Sequence, residues 1–243
     1  MKKLVLYYLA MLVLAACNGI GNIDETQREW SVDDNKMTWG LNEYTISGSL
    51  PNLFDEKGRM ISEVPSSPTA WVTFLNNPEG YNEFATVYQE FLGKTPMGAA
   101  AMIPMAMELY GRNRSTGEKC FQLLCGTPAN ANTIIRILDT KFPRLGEIAS
   151  TDSYLQRYLP AALLKGARAE NAYTPDEPYT VQMLPGANAP TGLFSHLYIF
   201  AEGWDTYLRA VEIKQNGDHY IVSQCPACYS QCKYIQGDWS GLK

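Results

Sequence analysis

The densest reactive chemistry in this chain is a set of five cysteines: Cys120, Cys125, Cys225, Cys228 and Cys232. The run Cys225-Pro226-Ala227-Cys228 admits three readings. A C-x-x-C placed after a strand and before a helix is the thioredoxin arrangement, in which the helix N-terminus lowers the thiolate pKa. Only 15 residues follow Cys228, too few for the strands and helices such a fold adds beyond its motif. Three thiolates with Cys120 or Cys125 as a fourth could make a tetrahedral zinc site, but neither histidine has ligand spacing to the cluster, and no metal is expected. The favoured reading is structural: one or two disulfides tie down the C-terminal loop, as an exported chain permits, with at least one thiol left over. Connectivity does not follow from spacing. Cys120 and Cys125 stand one residue past a full helical turn and point apart in a regular helix, so either one pairing with the C-terminal group is as good as two local pairs.

Catalytic sets are harder to assemble. Ser195 and His196 are neighbours on an expected strand, where successive side chains point to opposite faces, which is wrong for a nucleophile and its base. His219 sits beside a turn and is expected to be solvated. The chain has no G-x-S-x-G, H-E-x-x-H, P-loop or G-x-G-x-x-G run. Carboxylates gather at Asp176-Glu177 and at Glu202 and Asp205, and paired acids can hydrolyse glycosides across a cleft. Asp176 and Glu177 are bracketed by prolines and read first as solvated loop acids. Asp205 and Arg209 read as a turn-stabilising ion pair. Trp204, Asp205 and Arg209 are kept as candidate ligand-binding residues. No catalytic residue and no cofactor is expected.

The start of the chain is plainer. Lys2 and Lys3 precede an uncharged stretch of 13 residues, Leu4 to Ala16. A secretory signal has this layout, and a spanning helix needs roughly 20 apolar residues. The stretch ends in Leu14-Ala15-Ala16-Cys17, which resembles the lipobox of bacterial lipoproteins. That resemblance implies diacylglycerol on the Cys17 thiol, cleavage before it and acylation of the new amine. Several acyl chains together hold a protein on a bilayer where one does not. With no retention signal evident after Cys17, the outer membrane is the expected address in a cell that has one; the face is left open.

The whole chain has 243 residues, 20 basic and 25 acidic. Cleavage after Ala16 removes two lysines and no acid, leaving 18 basic against 25 acidic residues, a net −7. Such a chain has no basic surface for phosphates, so nucleic acid is excluded as a partner. Its 15 Tyr and 5 Trp suit glycan or small-ligand contacts as well as ordinary cores.

The elements that must position these residues follow from periodicity. Residues 17–29 read as a lipidated tether, and 30–64 as an arm or short strands carrying Trp30, Trp39, Tyr44 and Ile46. The Pro65-Ser66-Ser67-Pro68 break opens a single α+β domain over 65–243. Tyr81, Phe84, Tyr88, Phe91 and Leu92 share one helical face, ended by Gly93. Pro96 opens a helix bearing Met97, Met102, Met105 and Met107, with Pro104 as a kink. Those methionines read as core before they read as a pliable binding surface. Ser115 and Glu118 fit a capping box for a helix running to Leu124 and closed by Gly126. Ile134, Ile135 and Leu138 mark another helix, and Asp152 or Ser153 caps one bearing Tyr154, Leu155, Tyr158 and Leu159. Asn171 to Thr180 is expected to run extended, because a proline keeps its predecessor out of the helical region. Strands follow at Tyr179–Leu184, Leu197–Ala201, Tyr207–Lys214 and His219–Ser223. An Asn216-Gly217 turn of type I′ joins the last two. Helices first and an antiparallel meander last make the expected fold α+β.

Residues 159–214 also resemble an uncharacterised family of bacterial domains. Its members share an N-x-Y-T-P-x-x-P-Y-T segment, here Asn171 to Thr180, after a helix ending near a proline, here Leu159-Pro160. A G-x-D turn follows, here Gly203-Trp204-Asp205, and then an Arg, here Arg209. Asp205 and Arg209 stand one residue further apart than in that pattern, and the C-terminal cysteines depart from it. The resemblance supports the α+β expectation and carries no activity.

Together these features lead to an expected envelope lipoprotein whose domain is a non-catalytic module for a protein partner, a glycan or another small ligand. The alternative is a glycan-directed envelope hydrolase using Asp176, Glu177 or Asp205. A helix wrapped by a curved sheet around an apolar pocket, lined by Trp204 and the methionines, is a third arrangement.

Overall fold

Apolar–polar alternation begins well before the helical blocks, and it builds half of a sheet. The computed structural model describes residues 29–142, 158–186, 194–204, 206–230 and 232–233. Strands β1 (Trp30–Asp33), β2 (Lys36–Trp39), β3 (Asn42–Gly48) and β4 (Ala70–Phe74) pair antiparallel in sequence order. In β2 the inward side chains are Met37 and Trp39; in β3 they are Asn42 and Tyr44; in β4 they are Ala70, Val72 and Phe74. Residues 30–48 therefore belong to the sheet. The proline cluster at 65–68 lies between β3 and β4, inside the fold.

This corrects the expected order. Strands come first, and the helices form an insertion between β4 and β5 (Tyr179–Pro185), which pair with each other, Phe74 opposite Tyr179 and Ala70 opposite Met183. The sheet then continues through β6 (Phe194–Phe200), β7 (Leu208–Asn216) and β8 (His219–Gln224), and the eight strands lie in sequence order. β5 is buried on both faces from Thr180 onward, as befits its place within the sheet.

The insertion opens with α1 (Tyr81–Glu90), which buries Phe84, Val87 and Tyr88 at helical spacing. A 3-10 turn, Leu92–Lys94, leads into α2 (Pro96–Arg112). Thr95 caps α2, its Oγ1 accepting from the Gly98 N–H at 3.0 Å, and Pro96 takes the first position, where its missing N–H costs nothing. From Gly98 to Tyr110 every residue except Glu108 is buried, the mark of a helix enclosed on all sides. α2 packs against β4, β6, β7 and β8, so it is the axis around which the sheet is laid. Met102, Met105 and Met107 are fully buried core. They line none of the clefts described below, and neither does Trp204.

Helix α3 (Arg114–Leu124) starts earlier than the expected capping box. Asn113 is the cap, its Oδ1 accepting from the Thr116 N–H at 3.1 Å, because Asn is the better-placed acceptor two residues before Ser115. Cys125 ends α3 and Gly126 turns the chain with φ 70°, a conformation glycine adopts without strain. α4 (Pro128–Lys141) follows, capped by Thr127. The helix expected from Asp152 or Ser153 falls mostly outside the described residues; what is described there is α5 (Leu159–Ala162). α2 and α3 cross closely because Gly117 meets Tyr110: a Cβ on Gly117 would sit 2.2 Å from the Tyr110 Cα.

Two local expectations also change. The β7–β8 loop is Gly217-Asp218, with Gly217 at φ 66° and Asn216 still paired opposite His219. The glycine comes first of the two loop residues, as II′ hairpins require, and the Asn needs no positive φ. Asn171 to Thr180 is not extended throughout. Ala169–Asn171 is a 3-10 turn, and Ala172 and Tyr173 have φ of 53° and 55°. The proline restriction acts only on the residue before each proline, here Thr174 and Glu177, and leaves the earlier residues to the Asn171 side chain. Its Nδ2 donates to the carbonyls of Gly166 and Thr174 at 2.8 and 2.9 Å.

Candidate functional site

Two polar residues of one strand meet a third some forty residues away at one end of the sheet. β2 and β3 are joined by Gly40-Leu41, which puts Asn42 at the start of β3 with its side chain inward. The Asn42 Oδ1 accepts from the Asn76 N–H at 3.0 Å, and its Nδ2 lies 2.9 Å from the Asn76 carbonyl oxygen. The β2–β3 hairpin is thereby tied to the loop after β4. Nδ2 also reaches the Glu83 Oε1 and the Tyr44 hydroxyl, both at 2.8 Å. Tyr44, two residues on along the same face, donates its O–H to Glu83 Oε1 at 2.7 Å.

Glu83 comes from the first turn of α1. Its Oε2 accepts from the Glu79 N–H at 2.8 Å, satisfying a backbone donor just before the helix, and the helix N-terminus favours a negative charge there. Glu83 is 2% exposed, yet three hydrogen bonds serve its two oxygens, which is how a carboxylate is held inside a protein. The Tyr44 hydroxyl is pushed far above its ordinary range, by burial first and then by the Glu83 charge beside it, so it remains a donor.

Asn42 and Glu83 line a cleft of about 490 Å³, with Tyr44 buried behind them. The acids Glu29, Glu79 and Glu83 and the amides Asn42, Asn76 and Asn77 supply polar groups, while Trp39 and Leu41 supply apolar surface. Leu41 is 95% exposed at the hairpin tip. No lining residue is basic, so the cleft suits a neutral or cationic polar ligand and repels an anionic one. Sequence reasoning missed it. Its residues come from three segments, and the only local signal was polar Asn42 in the inward phase of an alternating strand.

The residues expected from sequence are placed elsewhere. Asp176 and Glu177 are exposed, and Asp176 lies 3.7 Å from Lys165. Asp205 falls outside the described residues. Trp204 is 4% exposed, and the Arg209 guanidinium lies over its ring at 5.0 Å. Arg209 is turned toward the core at the start of β7 and is 7% exposed. It donates to the Thr206 carbonyl at 2.6 Å, to the Thr206 hydroxyl, and to Ser230 Oγ at 3.2 Å. Burial lowers its pKa, with the nearby Cys228 acting the other way. Arg209 and Trp204 thus clamp the 204–208 turn to the loop after β8 and line no described cleft. A second, open depression of about 630 Å³ adjoins that turn, between Arg168, Glu202, Tyr207 and Lys233. Arg168 and Glu202 pair across it at 2.9 Å.

His196 lies opposite Glu212 on β7, 3.9 Å from its carboxylate. His219 is not simply solvated. Its ring stacks on Tyr88 at 5.4 Å, Nδ1 lies 2.6 Å from Asp218, and Nε2 lies 2.8 Å from the Gln89 carbonyl oxygen. The β7–β8 turn is thereby held against the end of α1, and Lys94 pairs with Asp218 at 2.8 Å. Lys94 and then His219 lower the Asp218 carboxyl to about 2.

All five described cysteines are buried and stand as separate thiols, with no disulfide among the described residues. They divide unequally. Cys125, Cys225 and Cys228 form one group, each of the first and last acting on Cys225. Cys120 takes no part in it, and Cys232 lies by Tyr173 and Lys141. The helix ends at Cys125, so Cys125 and not Cys120 faces the C-terminal loop. Among the described residues no set of three or more Cys, His, Asp or Glu has the geometry of a metal site.

Comparison with known proteins gives one match. The family model described as a domain of unknown function (DUF6935) covers residues 76–236, about two-thirds of the chain, and the chain belongs to that family. No curated protein and no solved structure matches it. The matched stretch begins just after β4. Asn76, Asn77, Glu79 and Glu83 lie within it, while Trp39 to Asn42 lie before it.

Proposed function

We propose that this chain is a lipid-anchored envelope protein whose folded part is a non-catalytic binding module, with the Glu83 cleft as its ligand site. The observation that carries this reading is the Asn42–Tyr44–Glu83 network. It holds a buried carboxylate and an amide in fixed geometry in an acidic cleft that Trp39 also lines. Preorganised polar groups beside apolar surface are what small-ligand sites use. The class best suited is a neutral or amine-bearing saccharide, whose hydroxyls pair with carboxylates and side-chain amides. Anchoring is supported by the Lys2-Lys3 start, the uncharged stretch to Ala16 and the Leu-Ala-Ala-Cys run. None of the described helices is long and apolar enough to cross a membrane.

The hydrolase alternative draws less support. Asp176 and Glu177 stand on open surface. Three of the roughly four lone-pair positions of the Glu83 carboxylate are already occupied, which suits a fixed acceptor better than a proton donor.

The test is calorimetric titration of the purified chain with a panel of neutral, amine-bearing and anionic oligosaccharides. Saturable binding confined to the first two groups, and weakened at least tenfold by Glu79→Gln or Asn77→Ala, is the expected result. Absence of saturable binding across the panel, or binding indifferent to both substitutions, rejects the cleft as the site. Turnover of any member, abolished by Glu83→Gln, replaces the binding reading with the hydrolase.

A further inference from the structure

The cysteine run at the end of β8 is not used by the cleft, and its backbone geometry is specific. Pro226–Tyr229 is a 3-10 turn with Cys225 as the residue before it. The Cys228 N–H donates to the Cys225 carbonyl at 2.9 Å, closing a single i to i+3 ring. A turn closed by that bond brings the Cα atoms of its first and fourth residues within roughly 7 Å. Disulfides join Cα atoms about 4.4–6.8 Å apart. The two thiols are in contact, hydrogen-bonded to each other across the turn. Both side chains are fully buried, so neither sulfur has a competing water partner.

The surroundings hold this turn in place from outside the pair. Arg209 reaches the Ala227 carbonyl at 3.5 Å and Ser230 Oγ at 3.2 Å, and Ser230 Oγ donates to the Ala227 carbonyl at 2.9 Å. Ala227, between the two cysteines, is thus fixed by groups that do not change on oxidation. The Cys225 thiol is raised well above its ordinary range by its S–H bond to Cys228 and then by burial, and Cys125 is the next thiol acting on it.

We propose that Cys225 and Cys228 form a disulfide that closes within the 3-10 turn, leaving Cys125 as a free thiol beside it. The oxidant is a disulfide, carried by a protein or by a small molecule such as glutathione disulfide. One thiolate attacks that disulfide, the mixed disulfide forms, and the second thiolate displaces the remaining thiol. The chain loses two protons and two electrons, and the oxidant becomes two thiols. Because all three sulfurs are buried in the folded chain, exchange occurs before the loop closes or through its local opening. The modified turn carries Tyr229, which is buried behind β7, and adjoins Lys233, whose N–H donates to the Gly203 carbonyl at 3.1 Å. Oxidation therefore stiffens the segment that closes the 203–209 turn. This inference stands apart from the saccharide reading, since no cysteine lines the Glu83 cleft.

The test uses the full chain, reduced and unfolded, then refolded in a buffer of reduced and oxidised glutathione. Free thiols are blocked under denaturing acid quench and the protein is digested and mapped by mass. The expected product is two hydrogens lighter, with the linkage in the peptide holding Cys225 and Cys228 and with Cys120, Cys125 and Cys232 all blocked. Cys125→Ala leaves that linkage intact. A linkage mapped to Cys125, or both Cys225 and Cys228 blocked after equilibration in oxidising buffer, overturns the proposal. Saccharide titration of the oxidised and reduced forms reports separately on the cleft, so failure of one leaves the other readable.

Discussion

Removing one oxygen atom from Tyr44 tests the network on which the candidate site rests. Tyr44→Phe keeps the ring, which is fully buried and stacked on Phe74 at 6.4 Å, so packing is conserved. What is lost is the O–H to Glu83 Oε1 at 2.7 Å and the acceptor for Asn42 Nδ2 at 2.8 Å. The second loss is small, because Nδ2 retains the Asn76 carbonyl and Glu83. The first is not replaced by water, since Glu83 is only 2% exposed. A hydrogen bond to a charged group contributes about 1.5–3 kcal/mol, so the expected cost is about 2 kcal/mol. For a chain of this size that lowers Tm by roughly 4–8 °C. Urea titration followed by circular dichroism gives the value, with an unchanged m indicating that the denatured state has not altered. Glu83→Gln removes the charge from the same bond, so the double variant should be less destabilised than the sum of the singles by at least about 0.5 kcal/mol. A Tyr44→Phe cost below about 0.5 kcal/mol, or strict additivity of the two changes, refutes the claim that this contact holds the hairpin to α1.

Further expectations concern packing, pH and the anchor. Gly117→Ala forces a Cβ to within 2.2 Å of the Tyr110 backbone, so α2 and α3 must separate; overpacking of this kind costs about 1–3 kcal/mol or more, and a midpoint unchanged in urea would contradict the close crossing. The Cys120 and Cys125 thiols are pushed up to about 12 by burial. Raised folded values mean that stability is intact below the unfolded thiol range and is lost as pH rises toward the folded one. Each group contributes a fall of about 1.4 kcal/mol per pH unit above about pH 8.5. Tyr88 and Tyr110, raised to about 12 chiefly by burial, add a loss of the same sign at higher pH. Cys120→Ala should flatten the slope measured by urea unfolding, and a profile level from about pH 9 to 11 contradicts the burial of these thiols. Lys94→Ala should raise the Asp218 carboxyl from about 2 toward the ordinary range, read by NMR titration; no movement would mean that the pair does not form in solution. Cys17→Ala should abolish incorporation of labelled palmitate and leave the chain unprocessed, whereas labelling that persists in the variant rejects the lipobox.

Local patterns carried a large part of the architecture. Phe84, Val87 and Tyr88 at helical spacing, Thr95-Pro96 as a helix start, and Gly126 after α3 are effects of neighbouring residues on one another. So is the alternation in β6 and β7, because a side chain's face in a strand is set by its position in that strand. Those strands and helices were legible for that reason. β1 to β3 were legible only as a choice between an arm and short strands, and β4 not at all, since β1, β2 and β4 have only four or five residues each and carry few apolar positions. Their membership depends on β4 lying next to β5, a pairing across the entire helical insertion. Caps and turns were missed by a residue or two where two local acceptors compete, as with Asn113 over Ser115.

Composition and order along the chain determined that it carries a signal-like start, a net charge of −5 and an α+β body with its cysteines in two clusters. Tertiary structure alone decided that Asn42 and Tyr44 meet Glu83 some forty residues on, and that Arg209 faces inward to clamp a loop. It also decided that Cys125, not Cys120, joins Cys225 and Cys228. The reason is the range of the forces involved. Helical and strand periodicity act over a few residues, while a buried carboxylate chooses its donors, and a thiol its neighbours, only after hydrophobic burial has brought distant segments into contact.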